Sequence, residues 1–423
     1  MKEALPPPDQ PAENKTAKEQ QGLPSKRMAD STTHGLIQFR PAPDSTIRIG
    51  ILLPFDCEAT SAKVYSCLNE NDVTRGDLCR LKESVHEGLD FYQGLRYAAA
   101  HTQSAQKIRF FVYDTQGSDS VVQVLLQQEP DLKKCQLIIG PSSIAEAKVV
   151  TAWCAQNQII NIQPFTAAKS IGSENAWLVR FMPTIDAHLQ KEYEMAIDSF
   201  ADRNIVIYTT HRERDLSAAR QLDTLFRAYN AVNTHKLHYT LFNSGDTSLA
   251  IAKKLLSYYL PAKEKNVLFM TTYEEPLVNS TLRTIKENTV VFGMPTWLDA
   301  DQLRPDYLTS SQPYVTDNFY VDSASTSALD FQKGYTEEYA SKPTRYAYMG
   351  YDGMNYLLSV FDKYGFSIID GLVRQSYDGL GYSFHISPVL HASRTTSEIV
   401  TNYYANTAMH LFQIRDYHVY LAR

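Results

Sequence analysis

Two adjacent serines, Ser142 and Ser143, follow a short apolar run and a Gly140-Pro141 break. A run bounded by such breakers is typical of a buried parallel strand, here residues 137–139, and serine is common at the start of the helix that follows. Hydroxyl groups and free N–H groups at a helix start can bind anions without a formal charge. The pair therefore predicts either ligand contacts or a plain helix cap, and both interpretations stay open.

The Phe165-Thr166 turn closes the same strand-helix-strand unit. Residues 145–155 have helical composition, and residues 159–162 form a second apolar run that ends at Pro164. Ligands of open parallel sheets lie in the crevice at the carboxyl ends of the strands. We therefore expect the two serines and this turn to line one edge of a binding site.

Short apolar runs alternate with amphipathic segments along most of the chain, which predicts parallel, doubly wound sheets. The alternation pauses at Pro183-Thr184 and then starts again. A chain of 423 residues is also longer than a single hydrophobic core usually supports, so two domains or lobes are expected. Residues 382–386 and 411–421 show the alternation of an antiparallel pair at a sheet edge. The other predicted strands are 47–55, 108–113, 137–139, 159–162, 177–182, 205–208, 237–242, 266–270, 290–293 and 318–321.

The overall charge argues against several classes of partner. The formal net charge of −6 and a pI near 6.0 disfavour nucleic acid and anionic membrane surfaces, which require a basic field. No stretch is apolar for long enough to span a bilayer. Residues 1–45 are rich in proline and poor in apolar side chains, so we expect a disordered tether there.

Five cysteines divide into two groups. We predict that Cys57 and Cys79 staple a polar surface stretch as a disulfide, as an exported protein would allow. Cys135 and Cys154 lie in apolar contexts and are expected to be buried free thiols. No pair has the C-x-x-C spacing of a zinc or redox site, so no metal is expected, although a reduced cytosolic chain remains an alternative.

The order of several segments resembles the type I periplasmic binding proteins, the group that contains the branched-chain amino-acid receptors, and especially their lipoprotein-like members in Bacteroidota. The segments are IGILLPF, EGLDFYQGLRYAAA, FFVYDT, LIIGPSSIAEA, NIQPFTAA, LVRFMPTIDAHLQ, GMPTW and YAYMGYDGMNYLL. The resemblance implies two lobes joined by a three-strand hinge, which closes on a ligand in the cleft. We expect residues 46–183 with 319–372 in the N-terminal lobe, and 184–318 with 373–423 in the C-terminal lobe.

The resemblance also implies the ligand contacts. In the second lobe they fall on the loop at 209–215, on Tyr273 and on the stretch around Trp297, where the family would place an acidic residue. This departure favours Arg212 or Arg214 as a contact for a carboxylate, phosphate or anionic sugar, although a solvated loop is the alternative. Trp297 would then stack on a ring or sugar face. In the first lobe the expected contacts are Phe55, Ser142, Ser143, Phe165, Thr166 and Ala167.

The sequence carries no familiar catalytic motif, and we expect neither an enzyme nor a cofactor. The predicted function is an extracytoplasmic solute-binding protein for an amino acid or related small polar ligand. Its expected partners are that ligand and a membrane transporter or envelope protein, and the chain is expected to be a monomer. The expected location is the periplasm or the outer membrane, with a lipid anchor as the sole membrane attachment. The alternative is an envelope lipoprotein that uses the same fold as a protein-contact scaffold or regulator of cell-wall synthesis.

Overall fold

The computed structural model describes residues 46–69, 81–245, 249–298, 300, 302–393 and 398–422. In chain order the strands are β1 (Ile47–Leu53), β2 (Ile108–Asp114), β3 (Leu137–Ile139), β4 (Ile160–Gln163), β5 (Leu178–Arg180), β6 (Asn204–Thr209), β7 (Tyr239–Asn243), β8 (Asn266–Met270), β9 (Thr289–Phe292), β10 (Tyr314–Asp317), β11 (Tyr377–Asp378), β12 (Ser383–Phe384), β13 (Ile386–Ala392), β14 (Ile399–Asn406), β15 (His410–Arg415) and β16 (His418–Leu421). The α-helices are α1 (Cys57–Asn69), α2 (Glu83–His101), α3 (Asp119–Gln128), α4 (Ile144–Asn157), α5 (Ile185–Phe200), α6 (Glu213–Val232), α7 (Leu249–Tyr259), α8 (Glu275–Leu282), α9 (Pro305–Ser311), α10 (Thr326–Tyr339), α11 (Arg345–Tyr364) and α12 (Ile368–Arg374).

The strands form two lobes, each built on a seven-stranded sheet. The first sheet has the order β13-β14-β5-β4-β3-β1-β2, and the second has the order β16-β15-β10-β9-β8-β6-β7. The strands β1 to β5 pair only in parallel with one another, and so do the strands β6 to β10. The predicted fold class, two doubly wound α/β lobes, is confirmed.

The chain crosses between the sheets at residues 181–184, 318–321 and 407–409. The last crossing corrects the prediction that residues 373–423 lie wholly in the second lobe. The reason is a strand that the sequence prediction missed, β14, which pairs in parallel with β5 and antiparallel with β13. Residues 382–386 and 411–421 therefore do not pair with each other, because β15 and β16 belong to the second sheet.

Helices α2 and α11 form the tightest helix contact of the first lobe. A Cβ atom built on Gly94 would lie 1.9 Å from the carbonyl oxygen of Ala347, and one built on Gly350 would lie 2.0 Å from that of Phe91. The two glycines thus allow backbone to approach backbone. Hydrogen bonds from Tyr346 to Glu87 and from Thr102 to Asn355 join the two helices further along.

No helix among the described residues is both long enough and apolar enough to cross a bilayer.

Candidate functional site

A capping box starts α4 at the carboxyl edge of the first sheet. The Ser143 hydroxyl accepts a hydrogen bond from the Glu146 N–H at 3.3 Å, and the Glu146 carboxylate accepts one from the Ser143 N–H at 3.2 Å. Ser143 is therefore the helix cap. Ser142 is half-buried, and its side chain forms no hydrogen bond within the described part of the chain. Of the two serines, Ser142 is the one with an unused hydroxyl.

The loop after β4 is held in place by aromatic rings and by its own backbone. The Phe165 ring lies 5.1 Å from that of Phe91 and 6.0 Å from that of Tyr346, measured between centroids. The Thr166 hydroxyl accepts a hydrogen bond from the Ala168 N–H at 3.1 Å, which leaves its own O–H free to donate. Thr166 is only 8% exposed. A ligand would therefore meet it at a narrow opening.

Asp114, at the end of β2, organises the chain after β1. Its carboxylate accepts hydrogen bonds from the N–H groups of Phe55, Asp56 and Cys57 at 2.9, 2.9 and 2.8 Å. Burial would raise the pKa of Asp114, but these donors bring it below its ordinary value. The Phe55 ring packs edge-on against Tyr92 with centroids 5.5 Å apart. Asp114 thus positions Phe55 and stabilises the start of α1, a helix in what the sequence predicted to be a polar surface stretch.

Two arginines of the second lobe have partners within that lobe. Arg212 forms an ion pair with Glu274, which joins the loops after β6 and β8. The Arg214 guanidinium lies 3.6 Å above the centre of the Tyr273 ring, and its Nε is 3.8 Å from Asp215 Oδ1. Burial raises the pKa of Tyr273 to about 12, with the Arg214 charge opposing the rise. The structure thus brings Arg212, Arg214 and Tyr273 together, but neither arginine is an unpaired cation.

Trp297 is a correction to the predicted site. It is 3% exposed and belongs to the hydrophobic core of the second lobe. A Cβ atom on Gly293 would lie 2.2 Å from Trp297 Cε3, so the glycine leaves the space into which the indole packs. A ring in this position is a core side chain and not a surface on which a ligand can stack.

A polar cluster that the sequence did not predict lies at the second crossing. Arg345, the first residue of α11, donates from Nη2 to both carboxylate oxygens of Asp317 at 3.1 and 3.2 Å. Its Nε lies 3.4 Å from the hydroxyl of Tyr382. Asp317 ends β10 of the second sheet, so this ion pair joins the two lobes beside the hinge. An arginine directly before the YAYMGYDGMNYLL segment was the available signal.

A buried polar chain links α5 to β10 just beyond the first crossing. His188 Nδ1 lies 2.9 Å from the Thr316 hydroxyl, which lies 3.3 Å from a carboxylate oxygen of Glu192. Burial lowers the pKa of His188 to about 4 and raises the pKa of Glu192. Both side chains are therefore favoured in their neutral forms.

This burial predicts an acid-sensitive contribution from His188. Because its folded-state pKa lies below 6.5, the stability that neutral His188 provides is present above pH 6.5 and is lost as the pH falls towards 4. Between pH 7 and 4.5, wild type should lose about 2 kcal/mol of unfolding free energy relative to His188→Gln. Urea unfolding at both pH values measures the difference. His235→Gln, at an exposed position, keeps His188 and should lose the same unfolding free energy as wild type, whereas an equal loss in His188→Gln would contradict this role of His188.

The cysteines agree in part with the prediction. Cys135 and Cys154 are buried free thiols, as predicted, and burial raises the pKa of Cys135 to about 12. Cys57 carries an exposed free thiol in this structure, and Cys79 lies outside the described residues. The Cys57–Cys79 bridge therefore stays a prediction for oxidising conditions. Within the described ranges no group of three or more His, Cys, Asp or Glu side chains is arranged to hold a metal ion.

Comparisons with known proteins give a fold. No protein-family model matches the chain, and no curated protein matches it. Among solved structures, it is similar to a putative branched-chain amino-acid ABC transporter protein of Rhodospirillum rubrum, with a TM-score of 0.59 and 13% identity over 89% of this chain and 99% of the other. A substrate-binding protein of Desulfitobacterium hafniense in complex with Leu gives a TM-score of 0.56, 13% identity and the same coverage. A periplasmic ligand-binding protein of Burkholderia xenovorans gives 0.57 and 10% identity over 89% of this chain and 95% of the other.

The chain therefore has the type I periplasmic binding protein fold, the fold class of substrate-binding proteins of ABC transporters. At these low identities the similarity defines the architecture, and the function must be argued from the site.

Proposed function

We propose that this chain is an extracytoplasmic solute-binding protein that captures a small polar ligand, an amino acid or a related compound, by closing its two lobes. The observation that carries the proposal is the arrangement of unused polar groups at the carboxyl edge of the first sheet. Ser142 offers a hydroxyl without a partner, and Thr166 offers a free O–H donor. A transporter of the inner membrane would receive the ligand, and the chain itself would perform no catalysis.

Each lobe would contribute a different kind of contact. In the first lobe, Ser142, Thr166 and neighbouring backbone groups would bind a carboxylate without a formal charge, beside the Phe165 ring. In the second lobe, Tyr273 and the Arg212–Glu274 pair would meet the ligand when the hinge closes. The protein would work in the periplasm, free or held by a lipid anchor, as a monomer whose lobes follow the predicted ranges except that β13 and β14 belong to the first lobe.

Thermal-shift screening against amino acids, short peptides, nucleosides and sugars tests this function. A ligand at a hundredfold excess over its dissociation constant should stabilise the folded chain by about 2.7 kcal/mol. Thr166→Val should then weaken binding of the active compound about tenfold, because a hydrogen bond to a charged group is lost. Thr224→Val, on the exposed side of α6, is the matched control. Equal affinity in the two variants would remove Thr166 from the site.

The second candidate is the protein-contact scaffold, an envelope lipoprotein that could regulate cell-wall synthesis. It is favoured by an exposed apolar stripe on α7, where Ile251, Leu255 and Tyr258 are 52, 37 and 69% exposed and lie at helical spacing. Silence of the whole ligand panel, together with site-specific crosslinking from position 258 to one envelope protein in cells, would establish the scaffold and displace the solute-binding function.

A further inference from the structure

Arg180 is a fully buried arginine at the carboxyl end of β5, with 0% exposure. Its Nη1 donates to the carbonyl oxygen of Ala167 at 3.1 Å, and the guanidinium carbon lies 3.8 Å from the centre of the Tyr403 ring on β14. No carboxylate in the described part of the chain forms an ion pair with it. The ring and the carbonyl group are the partners that the protein supplies.

The remaining nitrogens of Arg180, Nε and Nη2, have no hydrogen-bond partner in the described structure. These two atoms lie on the same edge of the planar guanidinium, the edge that matches the two oxygens of a carboxylate. Burial lowers the pKa of Arg180, but an arginine keeps its proton in proteins. A buried cation without a counter-charge is strongly unfavourable, so the free edge calls for an anion.

Other buried polar atoms at this edge of the sheet also lack partners. Gln163 is the neighbour of Arg180 in register on β4, so their side chains share one face of the sheet. Gln163 Nε2 donates to the Gly140 carbonyl at 2.7 Å, whereas its Oε1 is unpaired. Glu146, in the first turn of α4, likewise has an unpaired Oε1.

The loop after β4 covers this site. Ala168 and Ile171 pack in one cluster with Tyr403, and Ala167 accepts the hydrogen bond from Arg180. The guanidinium whose Nε/Nη2 edge is free therefore also holds, through Nη1, the loop that carries Phe165 and Thr166. Binding there would bear directly on the position of that loop.

We propose that Arg180 binds a planar oxyanion of the carboxylate class, with one oxygen on Nε and the other on Nη2. The carboxylate is either that of the ligand in the cleft, in which case the inference rests on the proposed function, or that of a free small anion. Both sources have the same chemistry, and the experiment separates them.

Formate is the probe, and the readout is the ¹⁵N-labelled arginine Nε–H signal of the full chain. The Arg180 signal is assigned by its ring-current displacement, which Tyr403→Leu removes. Formate should shift this signal saturably, whereas chloride at equal ionic strength should not. In calorimetry, Arg180→Gln should lower the formate affinity at least about tenfold. Arg203→Gln, which removes another arginine over an aromatic ring, should leave it unchanged.

The wild-type signal keeps the test decisive if Arg180→Gln does not fold. An Arg180 signal that formate does not move, or that chloride moves equally, would overturn the inference and indicate that water fills the site. If a panel ligand with a carboxylate prevents the formate shift and its amide analogue does not, the cleft ligand is the source. If formate shifts the Arg180 signal but no compound of the thermal-shift screen binds, the result would support a free-anion site and count against the solute-binding function alone. If a compound of the screen binds but formate does not move the Arg180 signal, the result would count against the anion site at Arg180 alone.

Discussion

Replacement of Asp352 by alanine is expected to cost about 2–6 kcal/mol of unfolding free energy, since the two buried N–H donors of Gly381 and Tyr382 would lose their acceptor at about 1–3 kcal/mol each. Asp352 lies on α11 and is 0% exposed. One carboxylate oxygen accepts from the Leu380 N–H at 2.8 Å, and the other accepts from the N–H groups of Gly381 and Tyr382 at 2.8 and 2.9 Å. The side chain thus anchors the segment that leads from α12 into β13.

Two variants make this prediction specific. Asp352→Asn keeps the shape of the side chain and one acceptor oxygen, so it should lose less unfolding free energy than the alanine variant. Asp330→Ala removes an exposed aspartate from α10 and should change stability by no more than about 0.5 kcal/mol. Guanidinium unfolding monitored by circular dichroism gives all three values. If Asp352→Ala costs no more than Asp330→Ala, the three hydrogen bonds do not hold this segment.

Gly94→Ala is expected to destabilise the first lobe by about 3 kcal/mol, the upper part of the usual range for overpacking. The added Cβ would lie 1.9 Å from the Ala347 carbonyl oxygen, and a backbone atom cannot turn away as a side chain can. Helices α2 and α11 would have to separate along their contact. Thermal unfolding of the purified variant measures the loss.

Gly88→Ala is the matched control, because it lies on the same helix and gains the same helix propensity. Its Cβ would meet Pro54 Cδ at 3.3 Å, a contact that a small displacement relieves. We expect Gly94→Ala to be at least about 2 kcal/mol less stable than Gly88→Ala. Equal stabilities would mean that the α2–α11 contact adapts and that the close approach is not required.

Local patterns predicted much of the fold. Residues 137–139 form β3 as the apolar run indicated, and the serine signal before residue 144 is a complete capping box. Both features depend on neighbouring residues, which a sequence displays directly. The close approach at Gly94 is different, because its partner, α11, lies some 250 residues further along the chain and no local pattern reveals it.

The errors share a physical cause, which is that they depend on contacts distant in sequence. Strand β14 exists because β5 and β13 lie on either side of it, and missing it displaced the third crossing. Trp297 looked like a surface on which a ligand could stack until Gly293 was seen to leave a space for the indole. Cys57 begins a helix because a carboxylate 57 positions away accepts from its backbone.

Hinge closure on a small ligand is tested most directly by the distance between the lobes. Spin labels at Ser120→Cys and Ser217→Cys lie at exposed positions near the starts of α3 and α6, in a background where Cys57, Cys67 and Cys79 are replaced by serine. Pulsed electron paramagnetic resonance would record the distance without additions and with each compound that raises the melting temperature. The account predicts that a stabilising compound shifts the distribution to a shorter, narrower distance. A distribution that stays the same with every such compound would contradict closure and leave the fold as a fixed scaffold.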